Sequence, residues 1–159
     1  AITDLYFKKM DYQKALYYIN KAISIDEDNV LYWKRYAKIN NKLYFLKEAE
    51  KGYKKSLDLG NYELETWIKR CDILINLGEF ETAIQNLFHA YEFYPETAEI
   101  EYRLAGLFFY LEQNEKGFFH LKNALKIDVE YYIIIEELFP SVFDQEPIQK
   151  IIAAYKQQS

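Results

Sequence analysis

Proline, glycine and cysteine are all scarce in this chain of 159 residues. The three prolines are Pro95, Pro140 and Pro147, so nothing before residue 95 is interrupted by one. With only five glycines besides, this scarcity argues against a loop-rich or sandwich fold and for long helices. Cys71 stands alone, which excludes an intramolecular disulfide and any need for an oxidising compartment. Long apolar runs are missing too. The longest stretch without an acidic or basic residue is Thr82 to Tyr91, far short of the roughly 18 apolar residues of a spanning helix. Membrane insertion is therefore not expected. No basic leader opens the chain, which favours a cytoplasmic address. The opening residues Ala1 to Tyr6 already read as the inside of a helix, so the chain reads as a piece of a longer protein.

What is present is half apolar and 28% charged, enough for a folded core and too apolar for disorder. The net charge of −5 is uneven. Residues 1–80 carry 14 basic and 12 acidic side chains, and residues 81–159 carry 6 and 13. An acidic second half is a poor match for a phosphate backbone, and no nucleic-acid partner is expected.

The chain repeats itself. Ala15, Ala49, Ala83 and Gly117 follow one another at intervals of 34 residues. The same step links Ala22, Ser56, Ala90 and Ala124, and also Thr3, Ala37, Cys71 and Ala105. Large apolar residues keep step as well: Ile19, Tyr53, Leu87 and Leu121; Ile25, Leu59, Phe93 and Ile127; Leu5, Ile39, Ile73 and Leu107. Trp33 and Trp67 share a column whose next member is Glu101. Within one copy, Trp67 to Leu77 carries a helical apolar stripe, and Gly78-Glu79 breaks it. A second stripe follows through Phe80, Ala83, Ile84, Leu87, Ala90 and Phe93, and Tyr94-Pro95 ends it. Each copy is thus two helices, here called A and B. The small columns let their backbones approach at the crossing, and the large columns are expected to fill the gaps beside it.

On these residues the chain resembles the tetratricopeptide repeat (TPR) family. The third copy, Trp67…Cys71…Leu74…Ala83…Leu87…Ala90…Pro95, carries the family's pattern of Trp, small, Ala, Ala and Pro columns. The likeness covers roughly residues 1–130. Departures are Arg70 in place of Leu, Asn40 in place of an aromatic, Gly117 for the first Ala, and Glu27, Asn61 and Val129 at the usual proline. The resemblance implies an all-α, right-handed superhelical solenoid of antiparallel helix pairs. Four repeats fall at about 1–29, 30–63, 64–97 and 98–131, the first lacking its start. Helices are expected over 1–9, 12–25, 29–42, 46–59, 63–76, 80–93, 97–111 and 114–127. An A-like helix at about 130–138 stops at Phe139-Pro140, and a last one follows Asp144-Gln145-Glu146. Residues 131–159 read as a C-terminal cap closing the open core.

No constellation of residues points to chemistry. His89 and His120 have no Cys or carboxylate at metal-ligand spacing and read as exposed helical histidines. Cys71 reads as a packed, inert thiol, and no glycine-rich phosphate loop exists. The acidic pairs Glu136-Glu137 and Asp144…Glu146 read as ordinary helix residues and a helix start. No metal, cofactor or catalytic residue is expected. The abundant aromatics read mainly as core, with Tyr53, Phe80, Tyr91, Phe93 and Phe108 placed there by register.

The resemblance also implies that A-helix positions 2, 5, 6, 9, 12 and 13 line a ligand groove. In the second copy these include Lys34, Arg35, Lys38, Asn41 and Lys42. In the third they include Lys69, Asp72 and Asn76, and in the fourth Tyr102, Arg103, Phe109 and Tyr110. The face runs from basic to aromatic, which suits a protein or peptide segment with an acidic end and an apolar end. Like charges at Lys34, Lys38 and Lys42 stack along one helix face, with Asp72 as the expected offset. The family's carboxylate clamp is matched at Lys34 and Arg103, while Lys38, Lys69 and Glu99 depart from it. The expected function is a non-catalytic interaction scaffold. The alternative is a ligand-sensing or regulatory segment of a larger multidomain protein. Neither oligomeric state nor partner identity is written in the sequence.

Overall fold

A computed structural model describes residues 2–8 and 11–158. Ala1 and Lys9, the ends of the first expected helix, lie outside the described residues. Among those described there are eleven α-helices, one 3₁₀ turn and no strand. They divide into two compact units, Ala1–Glu79 and Phe80–Ser159.

The first unit holds α1 (Ile2–Lys8), α2 (Tyr12–Ile25), α3 (Val30–Lys42), α4 (Leu46–Asp58) and α5 (Leu64–Asn76). Its helices stop where the sequence offers capping chemistry. Asp11 accepts from Lys14 N at the start of α2, and Asn29 accepts from Leu31 N and Tyr32 N at the start of α3. Each acceptor satisfies amide groups that the first helical turn leaves without partners. The small residues do what their spacing implies: Ala15, Ala37, Ala49, Ser56 and Cys71 are wholly buried. Ala37, Ala49, Tyr53 and Ile73 form one cluster joining α3, α4 and α5. Each large apolar side chain buried this way contributes roughly 1.5–3 kcal/mol.

The departures from the repeat pattern are satisfied locally. Arg70 pairs with Glu50 at 2.8 Å, α5 to α4, with both side chains mostly covered. Asn40 is buried and donates from Nδ2 to Tyr36 O at 2.8 Å. Asn61, at a position where the repeat usually has proline, donates to Ser56 Oγ at 3.0 Å and Thr66 Oγ1 at 3.1 Å. It ties the end of α4 to the start of α5.

The second unit holds α6 (Phe80–Phe93), α7 (Ala98–Tyr110), α8 (Asn114–Ile127), a 3₁₀ turn (Val129–Tyr132), α9 (Ile133–Leu138), α10 (Pro140–Phe143) and α11 (Glu146–Gln158). Helix α7 is buried along nearly its whole length, from Ala98 to Phe109 except Glu99. Against it pack α6, α8, α9 and the 3₁₀ turn. Gly117 sits at that crossing because a Cβ there would stand 2.7 Å from the Phe109 ring. Pro140 ends α9 and opens the single turn α10 as its first residue, where its missing N–H costs nothing.

One column does not behave as expected. Ile25 is 87% exposed, and Phe93 and Ile127 are 50% and 41% exposed. This column falls on the last residue of α2, α6 and α8, beyond the helix crossings, so only Leu59 is half-covered. Phe93 is therefore not core, whereas Tyr53 and Phe108 are.

Candidate functional site

In the first unit, ion pairs tie α3 to Asp4 of α1 and to Glu63 and Glu65 at the start of α5. On α3, burial of Tyr36, Ala37, Ile39 and Asn40 directs Lys34, Arg35, Lys38, Asn41 and Lys42 toward the other face. These cations are not a bare stripe. Lys34 Nζ meets Glu63 Oε2 at 2.5 Å, Lys38 Nζ lies 4.0 Å from Glu65 Oε1, and Arg35 Nε meets Asp4 Oδ1 at 2.9 Å. The expectation that Asp72 would be the main offset is corrected: acids from the starts of α1 and α5 reach across to each cation in turn. The hydrogen bond and charge of Lys34 hold the Glu63 carboxyl below the usual glutamate range.

Two lysines on this face differ. Lys42, at the end of α3, and Lys69, on α5, are exposed and make no ion pair among the described residues. Asn76 is exposed near them in sequence register, Asn41 is half-exposed, and Asp72 is half-buried. Between α1 and α3 a cavity of about 230 Å³ opens, lined by Thr3, Asp4, Arg35, Lys38 and Ile39. Its walls are one ion pair and one loosely held ammonium over an apolar floor.

The residues expected at the aromatic end of the face lie elsewhere. Tyr102 is fully buried, Arg103 is 7% exposed and Phe109 is 4% exposed. The segment after α8 meets Tyr102, and α8 itself covers Phe109. The Tyr102 hydroxyl donates to Asp128 O at 2.6 Å, and burial raises its pKa above the ordinary phenol value. Arg103 turns back along its own helix, donating from Nη1 to Glu99 O at 3.0 Å. Phe109 packs edge-on against Phe118, with ring centroids 4.9 Å apart. Phe139 lies over Gly106, so close that a Cβ there would come within 2.2 Å of its ring. Of the four, only Tyr110 keeps an exposed ring, packed beside Phe80.

The sequence also concealed a pair. His120 is not an exposed histidine: it is 8% exposed, and its Nδ1 meets Glu101 Oε2 at 2.6 Å, with Glu101 itself 2% exposed. The Phe108 ring stacks on the imidazole at 5.4 Å. The available signal was Glu101, a carboxylate in a tryptophan column, which needs a buried partner. His89, by contrast, is exposed. Among the described residues no group of three His, Cys, Asp or Glu side chains could hold a metal ion.

No family model matches the chain, and no curated protein matches it in sequence. Solved structures do resemble it. MamA superposes with a TM-score of 0.79 at 17% identity, over 98% of this chain and 90% of that one. MamA residues 41 to the end from Desulfovibrio magneticus RS-1 give 0.76 at 17%, over 99% and 88%. YrrB, described as a TPR protein with an unusual peptide-binding site, gives 0.69 at 15%, over 98% and 88%. At such identities the likeness concerns the fold. This chain has the all-α helical repeat fold of TPR proteins.

Proposed function

We propose that this chain is a non-catalytic interaction scaffold that takes a protein or peptide segment on the outward face of α1, α3 and α5. One observation carries the reading: Lys42 and Lys69 are exposed and without ion pairs on a face where the neighbouring cations are matched by acids. Side chains that hold no internal partner are the ones an acidic segment can engage without first breaking a bond. The cavity between α1 and α3 gives such a segment a place to bury one side chain. YrrB, of the same fold, is described as having a peptide-binding site, which supports a peptide as the kind of ligand.

The test is a displayed peptide library of varied acidic content, screened on the intact chain. The best binder is then titrated against Lys42→Glu/Lys69→Glu and against Lys122→Glu, an exposed lysine of α8. The double reversal is expected to weaken binding about tenfold or more, and added salt to weaken the parent complex. Affinity within about twofold of the parent in the double variant refutes this site.

A further inference from the structure

The turn between α3 and α4 differs from its counterparts one and two repeats later. It reads Lys42-Leu43-Tyr44-Phe45-Leu46-Lys47, against Asn76-Leu77-Gly78-Glu79-Phe80-Glu81 and Tyr110-Leu111-Glu112-Gln113-Asn114-Glu115. All three share the same backbone: the third residue is left-handed, with φ of 60° at Tyr44, 75° at Gly78 and 60° at Glu112. The third repeat fills that position with glycine, the residue that adopts it without strain. Here a bulky aromatic occupies it, held by Tyr44 N donating to Asn41 O and Phe45 N donating to Asn40 O. Yet Tyr44 is 86% exposed and Phe45 47% exposed. The Tyr44 ring therefore gives the core almost nothing in return for the strain.

Charge follows the rings. The later turns end in Glu79 and Glu81, or Glu112 and Glu115, whereas this one is bracketed by Lys42 and Lys47, with Lys51 one helical turn on. All three lysines are exposed, and none makes an ion pair among the described residues. The acids nearest in sequence are already engaged, Glu48 by the Tyr36 hydroxyl and Glu50 by Arg70. A tip of two rings is too small for a stable protein interface of roughly 800 Å² a side. A bilayer surface asks for no matching shape: tyrosine and phenylalanine rings settle at headgroup depth, and lysines beside them meet anionic lipid phosphates.

We propose that the Lys42–Lys47 turn, with Lys51, docks the chain on an anionic lipid surface. The docking is peripheral, since no helix among the described residues is long and apolar enough to cross a membrane. It shares Lys42 with the proposed peptide face, but its test falls on Tyr44, Lys47 and Lys51, so either site can fail alone.

The experiment is co-sedimentation of the intact chain with vesicles of phosphatidylcholine, alone or mixed with phosphatidylserine, at low salt. Binding is expected on the mixed vesicles, at least about tenfold above the neutral ones. Tyr44→Gly should lower that binding severalfold while raising the melting temperature, because glycine relieves the left-handed backbone. A loss there cannot be put down to unfolding. Lys47→Glu/Lys51→Glu should abolish it, and Lys122→Glu should leave it unchanged. Equal partition onto both vesicle types, no binding to either, or wild-type binding by Tyr44→Gly overturns the proposal. So does failure on vesicles combined with Tyr44-dependent binding to a polyglutamate peptide, which would assign the turn to an acidic protein.

Discussion

Gly106 is the point where one methyl group tests the packing of the second unit. In an ordinary helix interior, Gly→Ala is favourable by about 1 kcal/mol, because alanine loses less backbone freedom on folding. On α7 the new Cβ would meet Phe139 Cδ2 at 2.2 Å and Cε2 at 2.4 Å. Carbon atoms cannot share that space, so Phe139 or the helix must move, and overpacking of this kind costs about 1–3 kcal/mol. The net expectation for Gly106→Ala is a loss of about 0–2 kcal/mol. Phe139→Ala alone removes a ring that is 3% exposed and should cost about 3–5 kcal/mol. In that background the clash is gone, so Gly106→Ala should stabilise by about 1 kcal/mol. The change of sign between backgrounds is the signature, read as a coupling of about 1–3 kcal/mol in a urea double-mutant cycle with unchanged slopes. If Gly106→Ala stabilises equally with and without the Phe139 ring, that ring does not lie on α7, and the fold-back of the segment after α9 onto that helix is refuted.

Two further outcomes follow from burial. Ala49→Leu should cost about 1–3 kcal/mol by overpacking the cluster with Ala37, Tyr53 and Ile73, whereas Asn76→Leu on the exposed face should stay within about 0.5 kcal/mol; equal tolerance in denaturant titration would mean the repeat register is misplaced. His120→Ala should cost about 3–5 kcal/mol by leaving the Glu101 carboxylate buried alone, and Glu101→Leu/His120→Leu should cost less. A double variant no more stable than the single one in thermal melts rules out the pair as the cause.

The parts of this structure legible in the sequence were those fixed by local spacing. Ala15 and Ala49 announce a helix crossing because only a methyl fits there, and Pro140 announces a helix end because it lacks an amide hydrogen. Side-chain partners far apart in sequence were not legible. Glu63 and Glu65 reach Lys34 and Lys38 across about one repeat, so a stripe that looked self-repelling is matched by the next A helix. Glu101 and His120 each look like a surface residue when read singly, and only their meeting explains why both can be buried. Tyr102 and Phe109 have the register of a ligand groove, but register says nothing of the Asp128 carbonyl that meets the one or the Phe118 ring that packs on the other.

The Pro140 break also bears on how such a chain can grow. A helix that continued past Phe139 would offer another A–B pair and invite one more copy to stack on it. Here the helix stops after Leu138, and the next residue turns its ring down onto Gly106. This stretch of α7 is thus covered by a fold-back of the segment that follows α8. New copies spliced in ahead of Asp128 would keep that fold-back intact, provided the copy before it again supplies a residue without a side chain beneath Phe139 and a tyrosine hydroxyl for the Asp128 carbonyl.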